Sequence, residues 1–165
     1  QSVQHLEGAS SVEAIGEDTT NSEGTTVTSG NNAWAASWTS IGSVSSDVNC
    51  IMPGFDADSD TVLPGSDDQW ILKLGYGTNP PGSGGTEIDA IWYFATASQE
   101  NTRGVFPNTP VYADISSGDN IYVNIAGNDP NEPIGVVVHA MECPVASGGG
   151  ITGVSTLVGG TGLVG

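Results

Sequence analysis

Basic side chains are almost missing from this sequence. Lys73 and Arg103 are the only lysine and arginine among 165 residues, whereas aspartate and glutamate together number 19, and the formal net charge is −17. Nucleic acids and acidic membrane surfaces are both bound through clustered lysine and arginine side chains. The charge balance therefore argues against both, and we expect neither nucleic acid nor membrane among the partners of this protein.

Long apolar runs and helical patterns are missing as well. No stretch of about 18 consecutive apolar residues is present, so the sequence predicts no transmembrane helix. Glycine is frequent, with 24 residues, and serine, threonine and asparagine are also abundant. These residue types suit turns and short strands and disfavour long helices.

Cysteine is scarce, with Cys50 and Cys143 as the only two. A pair of cysteines permits one disulfide bridge but does not require it. The other reading is that both are small buried thiols, because free cysteine packs as a hydrophobic residue. The sequence leaves the two readings open.

Short segments of alternating apolar and polar side chains recur along the chain, which is the pattern of strands with one buried face. Between residues 69 and 77, for example, Trp70, Leu72, Leu74 and Tyr76 fall on one side. Turn-forming sequences such as Asn79-Pro80-Pro81-Gly82 separate these segments. We predict about eight strands, over residues 26–29, 34–44, 48–52, 69–77, 86–97, 110–114, 120–126 and 134–142.

Evenly spaced short strands without helical periodicity are typical of antiparallel sandwiches and barrels. We therefore predict an all-β fold, an antiparallel eight-stranded jelly-roll-like sandwich, with an immunoglobulin-like sandwich as the second choice. Most of the strand aromatics should be core residues, because their alternating partners are aliphatic; these aromatics are Trp34, Trp38, Trp70, Trp92, Tyr76, Tyr93 and Phe94. Tyr93, Tyr112 and Tyr122 stand on the opposite phase, where they either cover a sheet or an interface or line a sugar-binding face.

Composition divides the chain into three parts. Residues 1–25 are polar and acidic and are predicted to form an N-terminal arm, residues 26–144 form the β-sandwich domain, and residues 145–165 form an uncharged, glycine-rich tail. The tail is either a flexible linker or a strand-like stalk that buries apolar side chains against other subunits. The candidate docking residues of the tail are Ile151, Val154, Leu157, Val158, Leu163 and Val164.

An acidic segment carries the one candidate metal site. Asp56, Asp58 and Asp60 alternate along the chain, and clustered carboxylate oxygens are the ligands that calcium prefers. Thr61 stands where a calcium-binding loop needs glycine for its sharp turn, so a plain acidic surface loop is the stronger interpretation. Apart from this possible calcium ion, we expect no cofactor.

Catalytic motifs are lacking. The sequence contains no nucleophile elbow, no phosphate-binding loop of the Walker type and no paired-cysteine redox motif. His139 lies on the last predicted strand, on the side opposite its inner row, without a recognisable serine and carboxylate to complete a triad. We therefore expect a protein that is not an enzyme and has no catalytic residues.

The order of motifs resembles the small β-sandwich domains of tailed-phage virion proteins, which occur in capsid decoration proteins, head fibres and tail fibres. The resemblance covers roughly residues 25–143 and includes the glycine-rich tail. It rests on the following segments: Thr25-Thr26-Val27-Thr28-Ser29-Gly30, Ala33-Trp34-Ala35-Ala36-Ser37-Trp38, Leu74-Gly75-Tyr76-Gly77, Gly84-Gly85-Thr86-Glu87-Ile88, Pro110-Val111-Tyr112-Ala113-Asp114-Ile115 and Ser117-Gly118-Asp119-Asn120-Ile121.

This resemblance implies a non-enzymatic structural role on the exterior of a virion, commonly as a trimer. The expected partners are further copies of the chain, joined through the tail, and other virion structural proteins. Two alternatives remain. One is a tip domain that binds a receptor or a host surface glycan, and the other is a subunit of a cellular extracellular filament.

Overall fold

The computed structural model describes residues 12–18, 23–56, 69–95, 103–104, 110–128 and 133–143. In these ranges the chain is all-β and contains no helix, so the described part offers no helical segment long and apolar enough to cross a membrane. Its strands are β1 Val12–Ile15, β2 Glu17–Asp18, β3 Glu23–Thr28, β4 Gly30–Asn31, β5 Thr39–Ser43, β6 Val48–Asp56, β7 Gln69–Gly77, β8 Thr86–Ala95, β9 Arg103–Gly104, β10 Val111–Ile115, β11 Asn120–Gly127 and β12 Pro133–Met141.

The larger of two sheets is built around β6 and β12. Its strand order is β10-β6-β12-β3-β2, with β1 also paired to β12 and β9 to β6. All of these pairs are antiparallel. The first and last described strands are therefore neighbours, with Val12 opposite Met141 and Ile15 opposite Val138.

The smaller sheet is centred on β11 and β7. Its order is β4-β11-β7-β8, with β5 also paired to β11. The pairing of β11 with the short β4 is parallel, and the other pairs in this sheet are antiparallel. The β11–β7 register runs without a break from Asn120 opposite Gly77 to Gly127 opposite Trp70.

One hydrophobic core contains side chains from both sheets. The smaller sheet contributes the inward row of β7, Trp70, Leu72 and Leu74, and the larger sheet contributes the inward row of β12, which includes Val136 and Val138. These side chains are almost completely buried. Alternation along each strand sends the intervening residues to the outer faces, and those faces carry the functional groups considered below.

The strand predictions are confirmed in part. Each of the eight predicted segments overlaps a strand, but the described residues form more than eight strands. The added strands are β1, β2, β4 and β9, of which all but β1 are two residues long. The predicted arm also differs, because β1 and β2 lie within residues 1–25 and belong to the larger sheet. The tail, residues 145–165, lies outside the described residues.

Residues 34–38, the first part of the strand predicted over 34–44, are not a strand. They were predicted to be one because Trp34, Ala36 and Trp38 alternate, but residues 32–38 form an irregular loop between β4 and β5. The backbone N–H groups of Asn32 and Ala35 donate to the carbonyl oxygens of Gly127 and Ile125, at 2.9 and 3.1 Å. The loop therefore lies along β11, and its two indoles are half-buried rather than core side chains.

Candidate functional site

The described part of the chain brings a lysine, a carboxylate, an amide and two indoles together on the outer face of the smaller sheet. We call Lys73, Glu87, Asn124, Trp34 and Trp38 the Lys73 cluster. The Lys73 ammonium nitrogen, Nζ, lies 4.7 Å from the ring centroid of Trp34 and 4.9 Å from that of Trp38. It is also 3.1 Å from the Glu87 Oε1 atom.

Strand alternation and register place these groups. Lys73 lies between Leu72 and Leu74 on β7, and because those two point into the core, Lys73 points outward. Asn124 lies between the core residues Val123 and Ile125 on β11, and it is the register partner of Lys73. Lys73 and Asn124 therefore share the outer face and stand directly opposite each other.

The loop over residues 32–38 covers this part of the sheet. The Asn124 side-chain nitrogen, Nδ2, donates to the Ala35 carbonyl oxygen at 3.1 Å. This contact lies next to the backbone hydrogen bond from the Ala35 N–H to the Ile125 carbonyl oxygen on β11. Two backbone features allow the tight turn that leads into the loop. Asn32 has a positive φ of 46°, and a side chain at Gly30 would collide with the carbonyl oxygens of Ala33 and Trp34.

The cluster is well shielded from solvent, apart from its carboxylate. The Lys73 side chain is 17% exposed and that of Glu87 is 50% exposed, whereas Asn124 is 4% exposed. The Asn124 carbonyl oxygen, Oδ1, is buried and has no hydrogen-bond partner among the described residues. A buried acceptor without a donor costs free energy, so this amide has an unused capacity to accept a hydrogen bond.

The outer face of the larger sheet holds the two cysteines. Cys50 and Cys143 form a disulfide, with their Cα atoms 5.7 Å apart, so of the two readings of the cysteine pair the structure contains the bridge. Asn49 holds the end of the bridge in place: its Oδ1 accepts from the Cys143 N–H at 2.7 Å and its Nδ2 donates to the Cys143 carbonyl at 3.1 Å. Met141 and Met52 pack against the disulfide.

His139 lies on the same outer face. Its neighbours along β12, Val138 and Ala140, belong to the core, but His139 does not. Burial lowers the pKa of His139 below its ordinary value of 6.5, and the nearby negative charge of Glu17 opposes that shift. The imidazole Nδ1 atom is buried and unpaired within the described ranges.

Most of the candidate calcium site lies outside the described residues. Asp56 is the last residue of β6, where its backbone registers with Arg103, and Asp58 and Asp60 lie outside the described residues. Within the described ranges, His, Cys, Asp and Glu side chains form no group of three or more that could hold a metal ion. The tail residues proposed for docking, from Ile151 to Val164, also lie outside the described residues.

The three outward tyrosines do not form a common face. Tyr122 is buried and its hydroxyl donates to the Thr78 carbonyl oxygen at 3.3 Å. Tyr112 is 65% exposed and belongs to β10 in the other sheet. The side chain of Tyr93 is not described.

Sequence reasoning missed the Lys73 cluster because its members come from four separate segments. Asn124 and Glu87 carry no motif, and only the strand register brings them to Lys73. The one available signal was the position of the single lysine. It lies between two leucines in a predicted strand, in a sequence with few basic residues.

No protein-family model, curated protein or solved structure matches this chain. The chemistry of the described residues is therefore the basis on which a function can be proposed.

Proposed function

We propose that this chain is a non-enzymatic structural protein on the exterior of a virion, a capsid decoration or fibre subunit. The observation that carries the proposal is the Cys50–Cys143 disulfide in an all-β body of strongly negative charge. Disulfides persist outside the reducing cytosol, and a net charge of −17 keeps particles soluble and apart. The location that follows is a virion surface or another extracellular setting.

In this proposal the two sheets stack as a jelly-roll-like sandwich. The support is one core cluster to which β7 and β11 of one sheet and β6 and β12 of the other all contribute. Sheets that share an inner layer of side chains in this way pack face to face.

Two carboxylates of the described body, those of Glu13 and Asp47, hold loops in place. Glu13 Oε2 accepts from both the backbone N–H and the hydroxyl of Ser45, each at 3.0 Å. Asp47 Oδ1 accepts from the Ser117 N–H at 2.8 Å. Carboxylates used as loop anchors support a structural role better than a catalytic one.

Assembly is the activity of such a subunit. We propose that it associates with copies of itself, as a trimer, and with other virion structural proteins through the tail at residues 145–165. Light scattering of the full chain, beside a chain ending at Val145, tests the self-association. A trimer that becomes a monomer on truncation is the expected result, and a full chain that is monomeric at micromolar concentration would contradict it.

The virion assignment is tested on particles and filaments isolated from the natural source of the protein. Antibody against the folded chain should label the surface of particles that carry nuclease-protected DNA, and the protein should sediment with them in a density gradient. Sedimentation with DNA-free cell-surface filaments would instead identify the filament alternative. Recovery only as a soluble protein would overturn both.

Glycan binding is a second candidate, favoured by the outer face of the smaller sheet. Trp34 and Trp38 are half-exposed there, and Ile91, the register partner of Lys73 on β8, is 63% exposed. Exposed indoles beside polar groups can stack on the apolar face of a sugar. A glycan array with the full chain tests this candidate: Trp38→Ala should abolish binding that Tyr112→Ala, on the other sheet, leaves intact.

A further inference from the structure

We propose that Lys73 and Asn124 become joined by an intramolecular amide bond between their side chains, formed by the Lys73 cluster itself. The juxtaposition that carries this inference is a buried amide directly opposite the only lysine of the chain, with a carboxylate at the lysine nitrogen. The inference goes beyond the proposed function and does not rest on it, because a covalent link of this kind would strengthen any exposed domain.

The distance between the two strands suits such a link. Directly opposite residues of an antiparallel pair have Cβ atoms about 4.5–5.5 Å apart. Lys73 and Asn124 are such a pair, and both side chains leave the outer face of the smaller sheet. A lysine side chain is longer than this separation, so Nζ can reach the Asn124 Cγ atom by rotating about its own side-chain bonds.

Glu87 supplies the base that the reaction needs. A lysine amine attacks a carbonyl carbon only after losing a proton, and an adjacent carboxylate can take that proton. Glu87 Oε1 stands 3.1 Å from Nζ, within reach for direct proton transfer. The ion pair is thus the arrangement that precedes bond formation.

The surroundings hold the reactants together and limit water. Two indole rings flank Nζ, and the loop that carries them is tied to β11 by the hydrogen bond from Asn124 to Ala35. Positioning of this kind replaces a slow encounter by an intramolecular one, which accelerates reactions strongly. Shielding of Lys73 and Asn124 also keeps water from competing with the amine for the Asn124 carbonyl.

The Asn124 Oδ1 atom is a buried acceptor that no described residue satisfies. Negative charge develops on this atom when the amine adds to Cγ, so a hydrogen-bond donor that reaches it would stabilise that charge.

The step balances without any cofactor. The Lys73 ammonium gives a proton to Glu87, and the resulting amine forms a bond from Nζ to Asn124 Cγ. The Cγ–Nδ2 bond then breaks, and Nδ2 leaves as ammonium after taking the second Nζ proton and the proton held by Glu87. The product is one secondary amide plus one ammonium ion, with Glu87 again a carboxylate, and the single N–H that remains can donate to the Ala35 carbonyl.

Peptide mapping of the full-length folded chain tests the proposal. After incubation at neutral pH, reduction and chymotryptic digestion, tandem mass spectrometry should find a branched peptide that joins the Lys73 and Asn124 segments and is lighter than their sum by one ammonia. Intact mass alone is not sufficient, because it does not show which two residues are joined. Recovery of Lys73 and Asn124 only in unlinked, unmodified peptides would overturn the proposal.

Two matched substitutions test the role of Glu87. Glu87→Gln keeps the size of the side chain but removes the base, and cross-linking should slow by about a hundredfold or more. Asp89→Asn removes a carboxylate from the same strand outside the cluster, and it should cross-link as the wild type does. Circular dichroism confirms that both variants fold. Equal cross-linking rates in the two variants would remove Glu87 from the reaction.

Discussion

A single residue, Lys73, anchors the loop that covers the smaller sheet. Its ammonium contacts the indole rings of Trp34 and Trp38 in the loop and the carboxylate of Glu87 on β8. This one cation therefore connects the loop to the sheet beneath it. The loop in turn buries the Asn124 amide. The scarcity of basic residues in this protein therefore does not mean that its few cations are unimportant.

Replacing Lys73 with methionine should destabilise the fold. A cation over an aromatic face contributes about 0.5–1 kcal/mol at a partly exposed site, and the pair with the half-exposed Glu87 adds little because solvent screens it. We expect the free energy of unfolding of Lys73→Met in urea titrations to be about 1–2 kcal/mol below that of Lys73→Arg. Lys73→Arg is the control, because it keeps the cation and also lacks the proposed amide bond. Equal stabilities of the two variants would show that the cation does not anchor the loop.

His139 should make the fold sensitive to mild acid. Burial lowers its pKa in the folded state below 6.5, so between the two pKa values the unfolded chain binds more protons than the folded one. The stabilisation that the neutral imidazole provides is therefore fully present above the pKa of the unfolded chain. It is lost as the pH falls through 6.5 toward the lower pKa of the folded state.

Thermal melting of the wild type and of His139→Gln, measured on both sides of that pH window, tests this expectation. The carboxylates titrate in both proteins, so the informative quantity is the difference between the two melting curves. The wild type should lose more stability on acidification than the variant does. Parallel curves would mean that the imidazole is not held in its neutral form by the fold.

At the level of elements, the disulfide connects β6 to the segment that follows β12. The bridged cysteines are separated by 93 residues in sequence, and closing so long a loop restricts the unfolded chain. The loop-entropy argument gives a stabilisation of about 4–5 kcal/mol as an upper value. The double variant Cys50→Ala/Cys143→Ala should therefore unfold at clearly lower urea concentration than the oxidised wild type.

Reductant provides the control for this comparison. It should lower the urea midpoint of the wild type toward that of the double variant and leave the variant itself unchanged. A wild-type midpoint that does not respond to complete reduction would show that the bridge contributes no stability, and that the Asn49 contacts and methionine packing are sufficient for this part of the sheet.

Strands with one buried face could be predicted from sequence, because their alternation has a local cause. The segment from Gln69 to Gly77 was predicted at its observed bounds, and the strand beginning at Thr86 was predicted with its observed start. In β6 the predicted end at Met52, before Pro53, was too early, because the strand continues to Asp56. Pairing with β10 reaches only to Ile51, so beyond that point one side of β6 has no β10 partner and proline is tolerated there.

The elements that the sequence did not predict depend on distant partners. Val12–Ile15 is a weak local strand signal, and it becomes β1 because β12 offers it a hydrogen-bonding edge. Trp34 and Trp38 alternate as strand residues do, but they lie in a loop outside the sheet, where their rings contact the Lys73 ammonium. Neither the pairing edge nor the lysine is visible from the neighbouring residues in sequence.

At the scale of the whole molecule, charge repulsion should limit stability. Two basic side chains can neutralise only a small part of 19 carboxylates, and the remaining negative charges repel one another. Salt screens such repulsion within about 10 Å at 0.1 M and about 3 Å at 1 M. The melting temperature should therefore rise as sodium chloride increases from low millimolar to molar concentration.

Calcium is compared with sodium chloride at equal ionic strength. An additional rise in melting temperature with calcium, lost in Asp58→Asn, would identify the acidic segment around Asp56 as a binding site, whereas matching curves would leave it a plain acidic segment. A melting temperature that stays flat or falls with sodium chloride would contradict the repulsion argument itself.

The pairing of β1 with β12 determines how this body can be attached to another protein. Val12 and Met141 are register partners, so the chain enters and leaves the described body at points about 4.5–5.5 Å apart. This is the spacing that a surface loop of a host protein presents at its two ends, and domains with adjacent ends tolerate insertion at such sites. The described body therefore meets the spacing requirement of a guest domain within a host loop.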